Sequence, residues 1–206
     1  MKRSILYITI LALSLHISCK SDKKETTPET NDTEAVKTET TKERQTSKDE
    51  PAYYADKKKV TIKLDAKSNS GVTGNVVFTQ DQGVVTMIAV LDGLTKGEHA
   101  IHIHEKADCS SDDGSSTGGH WNPTGQPHGK WGNDSGYHKG DIGNFNANDN
   151  GHGTITKITD EWCIGCGDDT KDILGKAIIV HQGIDDYKSQ PSGAAGSRVS
   201  CGGIIQ

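Results

Sequence analysis

No long helical hydrophobic period runs anywhere in this chain of 206 residues, which sets helical bundles and mixed α/β architectures aside. A broad basic stretch is missing too. The formal net charge is −5 and the charged N-terminal quarter mixes both signs, so nothing here would neutralise a run of phosphates and nucleic acid is not an expected partner. Residues 20–50 hold no aromatic side chain, and Ala35 and Val36 are their only aliphatics. Such a segment cannot bury enough apolar surface to offset chain entropy. It predicts a disordered linker over 19–57, leaving 58–206 as one folded domain rich in Gly and β-branched residues.

The one apolar run of note, Ile5 to Leu15, is too short to remain as a bilayer span, and Lys2 and Arg3 precede it. Residues 1–18 therefore read as a signal peptide. At its end Ile17-Ser18-Cys19 resembles a lipobox, with His16 standing where an aliphatic residue is usual. The reading predicts a lipid on Cys19, contact with a membrane through that lipid, and a polar tether beyond it. The expected location is the bacterial cell envelope, as a periplasmic or outer-membrane lipoprotein, with the leaflet left open. Ordinary cleavage, with Cys19 an incidental thiol, is the alternative.

Apart from Cys19 the cysteines are Cys109, Cys163, Cys166 and Cys201, an even number in an exported chain, which favours two disulfides. Three pairings are open. Cys163 and Cys166 form a CxxC, but there is no second CxxC and no redox-type βαβ context around it. A local disulfide is favoured there over a redox or zinc motif.

Alternation marks Val60 to Leu64 as a strand with one buried face. Further strands are expected at Val72 to Gln80, Val84 to Leu91, His99 to His104, Ile142 to Asn146, Thr154 to Thr159, Lys176 to His181 and Arg198 to Ile204, with a tight turn at Asp81-Gln82-Gly83. Short strands with Gly-rich turns predict an all-β barrel or sandwich. Between the fourth and fifth strands lies a Gly/Ser/Asp/Asn-rich loop of a length that is usually functional or disordered.

That loop contains His120, His128, His138 and Asp141. In Ile101-His102-Ile103-His104, strand alternation puts the isoleucines on the core face and both histidines on the other, while His99 falls by parity opposite His102 and reads as a buried hydrogen-bonding residue. His181 ends the apolar strand Ile178-Ile179-Val180. Imidazole suits copper and zinc, carboxylate can ligate zinc, and six histidines with one carboxylate exceed a single tetrahedral site. Two metals sharing or nearly sharing a ligand are expected. His152, in a Gly-flanked turn, reads as solvated.

Gly97-Glu98-His99-Ala100-Ile101-His102-Ile103-His104-Glu105, Gly118-Gly119-His120-Trp121-Asn122-Pro123, His138-Lys139-Gly140-Asp141-Ile142-Gly143-Asn144 and Gly196-Ser197-Arg198-Val199-Ser200-Cys201-Gly202 closely resemble the signatures of copper/zinc superoxide dismutases, a likeness that covers about residues 59–206. The resemblance implies an eight-stranded antiparallel Greek-key β-barrel with long metal-binding and active-site loops. It assigns His102, His104 and His181 to copper, His128, His138 and Asp141 to zinc, and His120 to both as the bridging imidazolate. It implies that Asp185 links a copper ligand to a zinc ligand, that Arg198 stands beside copper as a catalytic residue with His120, and that Cys109 pairs with Cys201. The implied reaction takes superoxide to dioxygen and hydrogen peroxide. Two departures accompany it: a long segment between Cys109 and His120 bearing Asp112 and Asp113, and a short one from His181 to Arg198 with Lys188 its only added cation. Monomer and homodimer are both compatible with the sequence. The rival readings are a non-catalytic envelope copper/zinc-binding module and a structural adhesin-like β-domain.

Overall fold

A computed structural model describes residues 57–206, so the expected signal peptide, Cys19 and nearly all of the linker lie outside the described residues. Eight antiparallel strands close into a barrel: β1 Lys58–Ala66, β2 Thr73–Asp81, β3 Val84–Asp92, β4 Gly97–His104, β5 Gly143–Ala147, β6 Gly153–Thr159, β7 Ala177–His181 and β8 Arg198–Gly203. Around the barrel they run β1-β2-β3-β6-β5-β4-β7-β8. Every strand expected from the sequence is present, with ends shifted by a residue or two. What the sequence did not announce is a short 3₁₀ turn at Ser115–Thr117 in the long loop.

Alternation decides which side of each strand is buried. In β1, Val60, Ile62 and Leu64 enter the core while Thr61 and Lys63 face out. Val76 and Phe78 of β2, Met87 and Leu91 of β3, Ile101 and Ile103 of β4, and Ile178 and Val180 of β7 complete the same core. The β2–β3 hairpin turns through Gln82 and Gly83, both at positive φ, between the paired residues Asp81 and Val84. Such a turn matches the right-handed twist of the flanking strands.

Strand β6 keeps the alternation of burial but not the hydrophobic pattern that usually goes with it. Ile158 is 64% exposed, whereas Lys157, opposite buried Met87, is the half-buried one. The physical reason is local: Lys157 Nζ sits 3.7 Å from the centroid of the Trp131 ring, which the long loop lays over that end of the barrel.

Two disulfides staple the domain. Cys109 is joined to Cys201 across 92 residues and Cys163 to Cys166 across three, which settles the open pairings. The longer one ties the start of the long loop to β8, and Cys109 packs there against Ala177, Ile179 and Cys201 outside the main core.

Candidate metal centre

Strand β4 delivers His102 and His104 to the face opposite the core, where the long loop covers them until both are buried. The covering loop is stitched to the strand by backbone bonds: Glu105 N–H donates to Gly119 O at 3.1 Å, Trp121 N–H to Ile103 O at 2.8 Å and Ile103 N–H to Gly140 O at 2.9 Å. Gly140 is required for that approach, since a Cβ there would stand 2.2 Å from Ile103 O. The result brings His120 against β4, with its ring centroid 3.9 Å from that of His102.

Two groups of ligand atoms form, each drawn together within 4.8 Å. One is His102, His104, His120 and His181; the other is His120, His128, His138 and Asp141. All seven residues predicted from the sequence are gathered, and His120 belongs to both groups.

Hydrogen bonding fixes which nitrogen each imidazole has to offer. His102 Nε2 donates to Asp185 Oδ2 at 3.0 Å, His104 Nδ1 to Gly118 O at 3.0 Å and His181 Nδ1 to Gly196 O at 3.3 Å. Carboxylates and carbonyls can only accept, so the hydrogens lie on those nitrogens and the lone pairs on the others. The others are His102 Nδ1, His104 Nε2 and His181 Nε2, and together with His120 Nε2 they are buried without a hydrogen-bond partner. Buried polar groups left unpaired are costly and call for an explanation. A soft, nitrogen-seeking cation supplies one, and the donor set fits copper.

On the other side, His120 Nδ1 is 2.8 Å from Asp141 Oδ1, His128 Nδ1 is 3.0 Å from Asp141 Oδ2, and His138 Nδ1 is 3.3 Å from Asp141 Oδ1. His128 Nδ1 and His138 Nδ1 have no hydrogen-bond partner there either. Three imidazoles and one carboxylate suit tetrahedral zinc. The Asp141 side chain is aimed by backbone donors, His138 N–H at 2.8 Å and Gly129 N–H at 3.1 Å on Oδ2.

Burial is the leading influence on the first group and favours the uncharged ring. It lowers His102, drives His104 and His181 well below the usual imidazole range, and takes His120 down to about 4, so the lone pairs are free at neutral pH. For His128 burial also works against the charged form, but the nearby carboxylates of Asp141 and Asp185 outweigh it and raise the ring to about 9. A cation entering between these groups would take over the role of that proton. Asp141 and Asp185 resist protonation for the mirror-image reason: burial opposes their ionisation and the surrounding histidines overcome it.

Asp185 ties the two groups together. Its second oxygen, Oδ1, takes His128 Nε2 at 2.9 Å, and its own place is set by Asn144 and Tyr187, whose backbone N–H donates to Oδ1 at 2.7 Å. Gly193, at positive φ, completes the fit, because a Cβ there would fall 1.9 Å from Asp185 Oδ1.

A cavity of about 390 Å³ opens over His104, His120, His181 and Arg198. Among the described residues Arg198 is its only Lys or Arg, and the guanidinium donates from Nη1 to Gly114 O at 2.7 Å and Thr117 Oγ1 at 3.0 Å. Burial lowers its affinity for a proton only from the usual high arginine range, so it stays cationic. Gly114, Thr117 and Gly193 serve this centre and were not singled out from sequence, and Gly118 and Gly196 stood in quoted signatures without a role of their own. Their contributions are backbone carbonyls, one small hydroxyl and missing Cβ atoms, which leave no compositional trace.

The remaining sequence candidates fall elsewhere. His99 is buried, bonding His181 O at 3.0 Å and Thr95 O at 2.8 Å, as parity predicted. His152 is exposed and pairs with Asp92. Cys163 and Cys166 lie near Asp172, but as a disulfide they offer no thiolate to a metal.

A closed eight-stranded antiparallel barrel thus carries two histidine groups that share one imidazole, each able to hold a metal ion. The chain belongs to the copper/zinc superoxide dismutase family, whose model matches residues 72–204. Among solved structures, a double mutant of a SOD-like protein from Bacillus subtilis is 30% identical, with a TM-score of 0.62, covering 71% of this chain and 97% of that one. A structure titled the clock protein EA4 is 35% identical, with a TM-score of 0.59, covering 71% and 96%. A single mutant of the Bacillus subtilis protein is 28% identical, with a TM-score of 0.63 over 71% and 97%.

Proposed function

We propose that the protein is a catalytic superoxide dismutase, with copper held by His102, His104, His120 and His181 and zinc by His120, His128, His138 and Asp141. The observation that carries this reading is His120, whose Nδ1 meets Asp141 while its Nε2 is buried and unpartnered beside the other histidine group. Copper at the first group would supply reversible one-electron chemistry, and zinc, without redox chemistry of its own, would fix the loop and the orientation of the shared ring. Overall, two superoxide ions and two protons give dioxygen and hydrogen peroxide.

The chain's own residues divide the remaining work. Arg198 offers a fixed cation for a small anion, its guanidinium held in place by hydrogen bonds to Gly114 and Thr117 while Asp113 acts on it electrostatically. His120 lines the same cavity, and its Nε2 can hold a proton while Nδ1 remains directed at the zinc group. Asp185 keeps His102 and His128 oriented.

Delivery to the cell envelope through a cleaved signal peptide and a lipid on Cys19 belongs to the same proposal, with residues 19–57 as the tether. The protein would then protect the envelope against superoxide. A second reading, a copper/zinc-binding module without turnover, draws support from relatives described only as SOD-like or as a clock protein. Elemental analysis of the purified protein together with a superoxide-consumption assay separates them. Near-equal copper and zinc with turnover is expected; both metals without turnover would establish the binding module, and neither metal would remove both.

A further inference from the structure

Glu161 follows β6 and belongs to neither histidine group, yet its carboxylate holds the loop on both sides of one ligand. Tyr137 Oη donates to Glu161 Oε1 at 2.7 Å, and the Lys139 ammonium pairs with Oε2. Those two residues are the immediate neighbours of His138. Trp162 adds a third hold, its Nε1–H donating to Lys139 O at 2.9 Å. Its ring meets Trp131 edge-on at 5.4 Å, and Trp131 lies 5.0 Å from Tyr137. Glu161 is itself anchored to the barrel, since its N–H donates to Thr159 Oγ1 at 3.0 Å.

The chemistry of the contact suits a permanent hold. Burial works against ionisation of Glu161, but Lys139 and Tyr137 outweigh it and keep the carboxyl below its usual range. The ammonium and carboxylate are only 19% and 28% exposed, so the pair is less screened than one at the open surface.

His138 and Asp141 sit in a loop without hydrophobic periodicity, where each residue fixed costs about 1–2 kcal/mol of backbone entropy. A metal ion could meet that cost alone, or the scaffold could meet part of it in advance. We propose that Glu161 is a positioning residue for the zinc group, gripping Tyr137 and Lys139 so that His138 and Asp141 are presented before the ion arrives. The proposal rests on the reading of His120, His128, His138 and Asp141 as a zinc site. It adds a residue that touches neither the ion nor any ligand side chain.

The test uses the full chain loaded with zinc and copper, a chromogenic zinc chelator in excess, and thermal midpoints measured with and without zinc. Glu161→Gln should release zinc about tenfold faster, the lower end of what partners outside the ligand set cost in metal affinity, and should shrink the rise in Tm that zinc confers. Copper release should stay within about twofold of wild type, since no contact of Glu161 reaches the copper group. Tyr137→Phe and Lys139→Met remove one contact each and should each give part of the effect, which keeps the test open if Glu161→Gln folds poorly. Zinc release at the wild-type rate in all three variants, or an equal loss of Tm with and without zinc, overturns the positioning role while leaving the zinc site standing. Wild-type protein that retains no zinc, or His138→Ala that retains it as well as wild type, overturns both.

Discussion

His120 Nδ1 stands 2.8 Å from Asp141 Oδ1, and this contact turns the opposite nitrogen of the same ring toward His102, His104 and His181. Removing the ring would therefore disturb both ligand groups. His120→Ala should lower copper and zinc content together on metal analysis, after equal reconstitution. Loss of copper with zinc retained in full would mean that the ring is not shared.

Asp185 reaches His102 with one oxygen and His128 with the other. Asp185→Asn keeps the shape but loses the charge and one of two acceptors. Both metal affinities should fall by about 10- to 100-fold in competition titrations. An effect confined to one metal would limit Asp185 to orienting a single ligand.

The two disulfides close loops of very different length, and the chain-entropy model ranks them. Replacing Cys109 and Cys201 together with Ser should cost on the order of 4 kcal/mol in denaturant unfolding, against roughly 2 for Cys163 and Cys166. A reversed order would show that native-state packing, not loop closure, sets their contributions.

Lys157 gives the clearest pH signature outside the metal groups. Burial against Trp131 pushes its ammonium down to about 8, with Glu161 pulling weakly the other way. The folded chain then releases this proton more readily than the unfolded chain, so between pH 8 and the ordinary lysine range near about 10.4 the unfolded state binds more protons and stability rises with pH. Side-chain NMR of Lys157 should titrate near 8, and Lys157→Met should remove this rising component from the Tm–pH curve. A midpoint above about 10 would contradict the burial argument.

Much of this was legible in the sequence because it depends on short-range pattern. Val60, Ile62 and Leu64 announce β1 by alternation, and His102 and His104 share a face by the same parity. The shared role of His120 came from a resemblance, and the structure supplies its geometry. The choice of nitrogen on each ring was out of reach, because it is set by the backbone carbonyls of Gly118 and Gly196, a group that every residue carries. Glu161 was hidden for a related reason. Its partners lie more than twenty residues away across a loop, and nothing local distinguishes it from a surface acid. The inward Lys157 and outward Ile158 of β6 run against hydrophobic patterning, and the placement of Trp131 accounts for Lys157.

Multiple turnover decides between enzyme and binding protein: superoxide decay is followed by stopped flow with the copper/zinc-loaded protein at about one-hundredth the superoxide concentration. Catalysis predicts that all the superoxide is consumed at a rate proportional to protein, and that Arg198→Met slows it about 10-fold or more with both metals retained. Consumption that stops at about one superoxide per bound copper would contradict the account and leave a metal-binding protein without turnover.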